Sequence, residues 1–291
     1  MVDFQHVNKL YEGHQALDDV SFNISKGTIF GLLGPNGAGK TTILRLLVRI
    51  LLPDSGNIFF DDKTLKEEHL RQIGYLPEER GLYPKMRAYD HLVFLARLKG
   101  VQKNDIKTRI AYWAEKLQVG HLLSRKVENL SKGQQQKIQL IATLLHEPIL
   151  LILDEPFSGF DPVNAELWKQ IMLELKLAGK TLLISTHRME SAEELCDDVA
   201  MLHHGKMVLN GSLKEVIQSK VLNRYRVRTD KPLVANEIFD VLERVEDESR
   251  IQVKESVSSN ELLESLMAQS QVIAFVPERR SLREVFLENA R

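Results

Sequence analysis

Residues 34–41 read Gly-Pro-Asn-Gly-Ala-Gly-Lys-Thr, and the apolar run Thr28 to Leu33 leads straight into them. The residues from Lys40 to Ile50 carry helical periodicity. A strand, a glycine-rich turn of the form G-x-x-x-x-G-K-[ST] and a helix make a phosphate cradle. Glycines let successive backbone N–H groups turn inward around an anion, and the helix N-terminus adds positive potential. Gly34, Pro35, Asn36, Gly37, Ala38, Gly39, Lys40, Thr41 and Thr42 are therefore the expected ATP-binding residues. Lys40 supplies a point charge to the β- and γ-phosphates, and the Thr41 hydroxyl is a ligand for Mg²⁺.

A second apolar run, Ile149 to Leu153, ends in Asp154 and Glu155. Such a run is buried on both faces of a parallel sheet. A parallel sheet gathers the C-terminal ends of its strands, so these carboxylates can stand beside the phosphate loop. Asp154 is expected to hold Mg²⁺, and Glu155 to orient and deprotonate the attacking water. A third such run, Thr181 to Ser185, ends near His187, whose imidazole could bond the γ-phosphate and the water.

Leu130-Ser131-Lys132-Gly133-Gln134 precedes a helix expected to run to about His146. Ser131 and Gln134 form a capping pattern, which is sufficient reason for the segment. A sharper reading is that Ser131 and Gly133 point at a second phosphate, so that two copies build a shared site.

The rest of the chain sets limits. A net charge of -1 among 291 residues gives no basic excess for nucleic acid. No run of about 18 uncharged apolar residues offers a membrane span. The N-terminus lacks the pattern of a signal peptide. The single cysteine, Cys196, cannot form an internal disulfide and is expected to pack in a helix. His203 and His204 read as a turn, and Arg224, Arg226 and Arg228 as the solvated face of a strand. From about residue 220 the strand–helix pattern changes scale. Strands are expected at 225–228, 250–254 and 272–276, and helices at 235–245, 259–268 and 281–289.

Taken together, GPNGAGKTT, LSKGQ, LLILDEP, SGFD (158–161) and His187 resemble, in order and spacing, the ATP-binding domain of ABC transporters, over about residues 1–217. The resemblance implies an α/β fold: a P-loop NTPase of ABC type, with a mixed-sheet core plus a helical subdomain at about 88–130. A small α+β accessory domain follows at 222–291. It further implies that Tyr11 stacks on adenine, a contact worth roughly 1–3 kcal/mol. Ser131, Lys132, Gly133, Gln134 and Asp161 would bind ATP in trans, within a homodimer or heterodimer of ATP-binding subunits. Separate transmembrane permease subunits would hold the assembly at the cytoplasmic face of the cell membrane.

Two positions depart from the family's pattern. Lys132 stands where glycine is usual, and Glu78 where the coupling loop usually offers glutamine. Glu78 can still join Thr41 and Asp154 as a ligand for Mg²⁺. The YLPEERGLY segment and the closing SLREVFLE resemble the subset associated with sodium, drug or antimicrobial-peptide efflux, which favours an exporter. A soluble ABC-type ATPase and a nucleotide-dependent regulator without hydrolysis stand as rival readings.

Overall fold

Runs such as Ile29–Leu33, Leu150–Asp154 and Thr181–Thr186 have no exposed position, and only a sheet covered on both faces can hide them. The computed structural model describes every residue except 80, 219–222, 255–256, 279 and 290–291. Two compact units divide the chain, Met1–Leu213 and Lys214–Glu288. The division falls a little before the expected end at 217, and the expected start at 222 lies outside the described residues.

In chain order the first unit contains β1 (Val2–Tyr11), β2 (His14–Ile24), β3 (Ile29–Leu33), α1 (Lys40–Leu47), β4 (Ser55–Phe60), β5 (Lys63–Thr64), β6 (Ile73–Leu76), α2 (Ala88–Leu98) and α3 (Lys103–Lys116). There follow α4 (Lys132–Leu144), β7 (Leu150–Asp154), α5 (Pro162–Leu177), β8 (Thr181–Thr186), α6 (Met189–Leu195), β9 (Asp198–His203) and β10 (Lys206–Ser212). These strands build two sheets. One is antiparallel, in the order β2-β1-β4-β5; the other is mixed, in the order β10-β9-β3-β8-β7-β6. In the mixed sheet every pairing is parallel except the edge hairpin β9–β10. His204 and Gly205 turn that hairpin with positive φ, 49° and 77°.

Helix α1 lies in the core that the two sheets share. Its Ile43, Leu44, Leu46 and Leu47 are buried with Phe4, Leu17 and Phe22 of the first sheet and with Phe30, Ile152 and Leu183 of the second. Phe22 stacks on Phe4 at 4.5 Å and on Phe30 at 5.5 Å, which ties the sheets together. Each fully buried aliphatic side chain stabilises by roughly 1.5–3 kcal/mol. The helix that opens at Lys40 is thus clamped, and the loop before it inherits that rigidity. Helices α2 and α3 pack on each other and on α4, forming the helical part of the unit. Cys196 is buried just beyond the end of α6, not inside a helix.

The second unit follows α7 (Leu213–Gln218) with β11 (Arg224–Thr229), β12 (Phe239–Val245), β13 (Glu248–Val253), α8 (Ser259–Gln269), β14 (Val272–Pro277) and α9 (Leu282–Asn289). Its sheet is antiparallel, ordered β12-β13-β11-β14. Val227, Phe239, Ile251, Leu262 and Leu266 are among the residues of its core. On β11, Val227 and Thr229 are buried while Arg226 and Arg228 are exposed, as alternation requires.

One expected element is corrected. Residues 235–245 read as a helix because Ile238, Val241, Leu242 and Val245 recur at helical spacing. The structure instead places strand β12 there, with Phe239 opposite Val253 and Val241 opposite Ile251. Pairing with β13 buries Phe239 completely, and Leu242 and Val245 stay about half exposed. A helical stripe would have hidden the latter two, so the cross-strand contacts prevailed over local periodicity.

Candidate functional site

The mixed sheet sets the site because β3 lies between β8 and β9, with β7 beside β8. In register, Leu33 pairs with Thr186 and Asp154 with Ser185. The loop after β3 and the carboxylates at the end of β7 therefore meet at one edge. Between them is a cavity of about 350 Å³, within the usual size for a small-molecule site. Asn36, Gly37, Gly39, Lys40, Thr41 and Thr42 of the loop and α1 line it, together with Glu78, Asp154 and Glu155 and with Tyr11, His14 and Ala16 of the β1–β2 hairpin.

Two glycines explain the loop's shape. Gly34 has φ 147°, and a Cβ there would come within 2.3 Å of the Leu202 carbonyl oxygen. Gly39, the N-cap of α1, has φ 108°, and its Cβ would lie 2.7 Å from the Ala16 carbonyl oxygen. Either substitution would push the loop off strands β9 or β2. Inside the loop the buried Lys40 ammonium donates to the carbonyls of Gly34 at 2.7 Å and Pro35 at 3.0 Å. The Ala38 amide donates to Pro35 O, and Ala38 O accepts from Gly205 N. Gly34, Pro35 and Ala38 thus shape the loop and do not line the cavity.

Charge is concentrated here. Burial lowers the Lys40 pKa, opposed by the nearby charges of Glu155, Asp154 and Glu78. Burial raises the Asp154 pKa, and Glu78 and Glu155 push it the same way. A crowd of carboxylates facing one lysine is a site short of positive charge. Thr41, Glu78 and Asp154 offer only hard oxygen donors and border the same cavity. Mg²⁺ prefers such donors and takes its other ligands from water and phosphate, so the three residues fit that ion. Exchanging Glu78 for glutamine removes one of the crowded charges. That also removes a charged ligand of the ion, so ATPase rate measured across a Mg²⁺ titration should reach its plateau at several-fold higher Mg²⁺ in Glu78→Gln than in the wild type. Superimposable titration curves would remove this role for Glu78.

Glu155 is buried and has φ 46°, a conformation uncommon for a side-chain-bearing residue. Surrounding bonds impose it. The Glu155 amide donates to Ser185 O, and its own carbonyl accepts from Ser158 N. Its carboxylate accepts from Thr186 Oγ1 at 3.1 Å and from the His187 amide at 2.9 Å. His187 Nδ1 lies 2.7 Å from the same carboxylate. His187 thus braces Glu155; it does not line the cavity. Ordinary side-chain reasoning missed Thr186, because a strand-end threonine carries no signal of its own.

Tyr11 closes β1 with the ammonium of Lys9 5.9 Å over its ring, and Lys9 is tied to Asp54 at 2.7 Å. The Lys9 ammonium is thus within cation–π reach of one ring face. His14 was not anticipated from sequence at all.

The remaining expected residues lie elsewhere. Ser131 caps α4, accepting from Gln134 N while Gln134 Oε1 accepts from Ser131 N at 2.9 Å. Ser131 and Lys132 are exposed, and Gly133 and Gln134 half-buried. Asp161 caps α5, accepting from Asn164 N at 3.0 Å. None of these five residues borders the cavity of its own chain.

Comparison with known proteins follows this geometry. The ABC transporter family model matches residues 17–158. The model described as ATP-binding protein DrrA1-3-like, C-terminal domain, matches 211–290. The uncharacterized ABC transporter ATP-binding protein YhaQ of Bacillus subtilis (strain 168) is 40% identical over 99% of this chain and 98% of its own. Nod factor export ATP-binding protein I of Burkholderia thailandensis is 34% identical over 76% of this chain and 73% of its own. Among solved structures, an ATP-binding subunit of an ABC transporter superposes with a TM-score of 0.71. It is 30% identical, over 75% of this chain and 92% of that one.

Proposed function

The chain belongs to the family of ABC transporter ATP-binding proteins, and on that premise we propose that it hydrolyses ATP to drive an exporter. The observation that carries the reading is the meeting of Lys40 and Thr41 with Asp154 and Glu155 at one cavity. Phosphate loop, metal-binding carboxylate and general base then stand within reach of one triphosphate.

The residues divide the work as follows. Backbone amides of the loop and the Lys40 ammonium hold the β- and γ-phosphates. Tyr11, which lines the cavity, presents its ring to adenine. Thr41, Asp154 and Glu78 would hold Mg²⁺, which when bound offsets phosphate charge. Glu155 accepts a proton from the attacking water, and His187 and Thr186 keep its carboxylate aimed. Export is supported by the name of the Nod factor relative. Among the described residues no helix is long and apolar enough to cross a membrane. Separate permease subunits would supply the transmembrane path and hold this protein peripherally at the membrane's cytoplasmic face.

The exposed start of α4 supports closure of two copies over two ATP molecules. Ser131, Lys132, Gly133, Gln134 and Asp161 of one copy would then complete the other's site. The test is the solution mass of purified Glu155→Gln with and without Mg-ATP. ATP should convert monomer to dimer. Adding Ser131→Asp, which keeps the helix cap but repels phosphate, or Ser131→Arg should abolish the conversion. A mass indifferent to ATP would overturn closure by this chain alone.

A further inference from the structure

Among the described residues, expected site residues account for every polar side chain around the cavity except His14. Strands β1 and β2 join through Glu12-Gly13, whose φ values are 37° and 88°. Two positive φ values make the tight mirror-image turn that suits a hairpin's twist. Beyond it Tyr11 is directly opposite His14. Directly opposed residues share one sheet face, with Cβ atoms roughly 4.5–5.5 Å apart. Phenol and imidazole thus stand side by side, and both border the cavity.

Two residues further along β2 is Ala16, whose carbonyl oxygen a Cβ on Gly39 of the phosphate loop would meet at 2.7 Å. At about 3.3 Å of rise per residue, His14 is roughly 7 Å along the strand from that meeting point. A nucleotide whose base rests on Tyr11 and whose terminal phosphates rest in the loop must lay its ribose and α-phosphate across this gap. We infer that His14 contacts the nucleotide there, its imidazole N–H donating to an oxygen of the sugar–α-phosphate segment. The inference rests on the ATP-binding reading and adds a positioning residue to it. The hairpin tip then works as a pair, with Tyr11 holding the base and His14 fixing the link between base and phosphates.

The experiment is equilibrium binding of ATP, ADP and 2′-deoxy-ATP to the full chain in four forms: wild type, His14→Ala, His14→Gln and Lys40→Ala. Thermal melting of each form reports folding. His14→Ala should weaken ATP and ADP by the same factor, about fivefold to tenfold for one lost hydrogen bond, with an unchanged melt. His14→Gln, which retains an N–H donor, should recover most of it. Persistence of the effect with 2′-deoxy-ATP excludes the 2′-hydroxyl as the acceptor, and its disappearance places the contact there. Affinity of His14→Ala within twofold of the wild type, or a loss for ATP without one for ADP, overturns the inference and leaves the ATP site standing. A folded wild type that binds no ATP overturns both.

Discussion

Glu155→Gln should lower the steady-state ATPase rate by about 10²–10⁴-fold, the usual contribution of a positioned general base, while ATP affinity stays within a few-fold of the wild type. Glutamine has the shape of glutamate: its carbonyl oxygen can keep the bond from the His187 amide, and its NH2 can donate to Thr186 Oγ1 with that bond reversed. It cannot take a proton from water. The substitution also removes one of the negative charges that raise the Asp154 pKa, so nucleotide binding gains nothing to oppose it. Phosphate-release kinetics beside an equilibrium ATP titration separate the two quantities. His187→Ala should slow the rate less, because Thr186 and the His187 backbone still hold the carboxylate. A Glu155→Gln rate within threefold of the wild type would show that another group accepts the proton.

Lys40→Ala should weaken ATP binding by at least about 100-fold. Removing one partner of a buried charge cluster costs roughly 3–5 kcal/mol, and here two functions disappear together. The ammonium holds the loop closed through the carbonyls of Gly34 and Pro35. It is also the cation on which the charges of Glu155, Asp154 and Glu78 act. Without it only the backbone amides and the helix end oppose the carboxylates around a triphosphate, on a loop with one fewer internal tie. Titration with a fluorescent ATP analogue measures the loss. Affinity within fivefold of the wild type would mean that the backbone amides and helix end suffice, and that the lysine matters only for loop shape.

Much of this site was legible in the chain before any coordinates. Glycine spacing and a lysine singled out Gly34 to Thr42 as a phosphate cradle, and of these Asn36, Gly37, Gly39, Lys40, Thr41 and Thr42 line the cavity. Asp154 and Glu155 stood out because two carboxylates closing a fully apolar strand make no sense as surface decoration once that cradle exists. The short buried strands were equally plain, since Leu150–Asp154 and Thr181–Thr186 alternate nothing and hide everything. The capping pattern at Ser131 was read correctly as local structure, because a cap depends only on residues three apart.

Other features came from contacts between residues distant in sequence, and those no local pattern encodes. Thr186 is one, since its hydroxyl matters only because β8 runs beside β7. His14 is another, visible only once the β1–β2 register sets it opposite Tyr11. Residues 235–245 read as a helix, and only the pairing of Phe239 and Val241 with β13 shows the strand. His187 was expected to reach phosphate and water directly; its position on Glu155 follows from where the strand ends deliver both backbones. The sequence by itself determined the chemistry, because residue type and short spacing decide which groups can bind phosphate, metal or proton. The tertiary structure alone decided which of those groups face one another, because strand order and register are set by burial summed over the whole sheet.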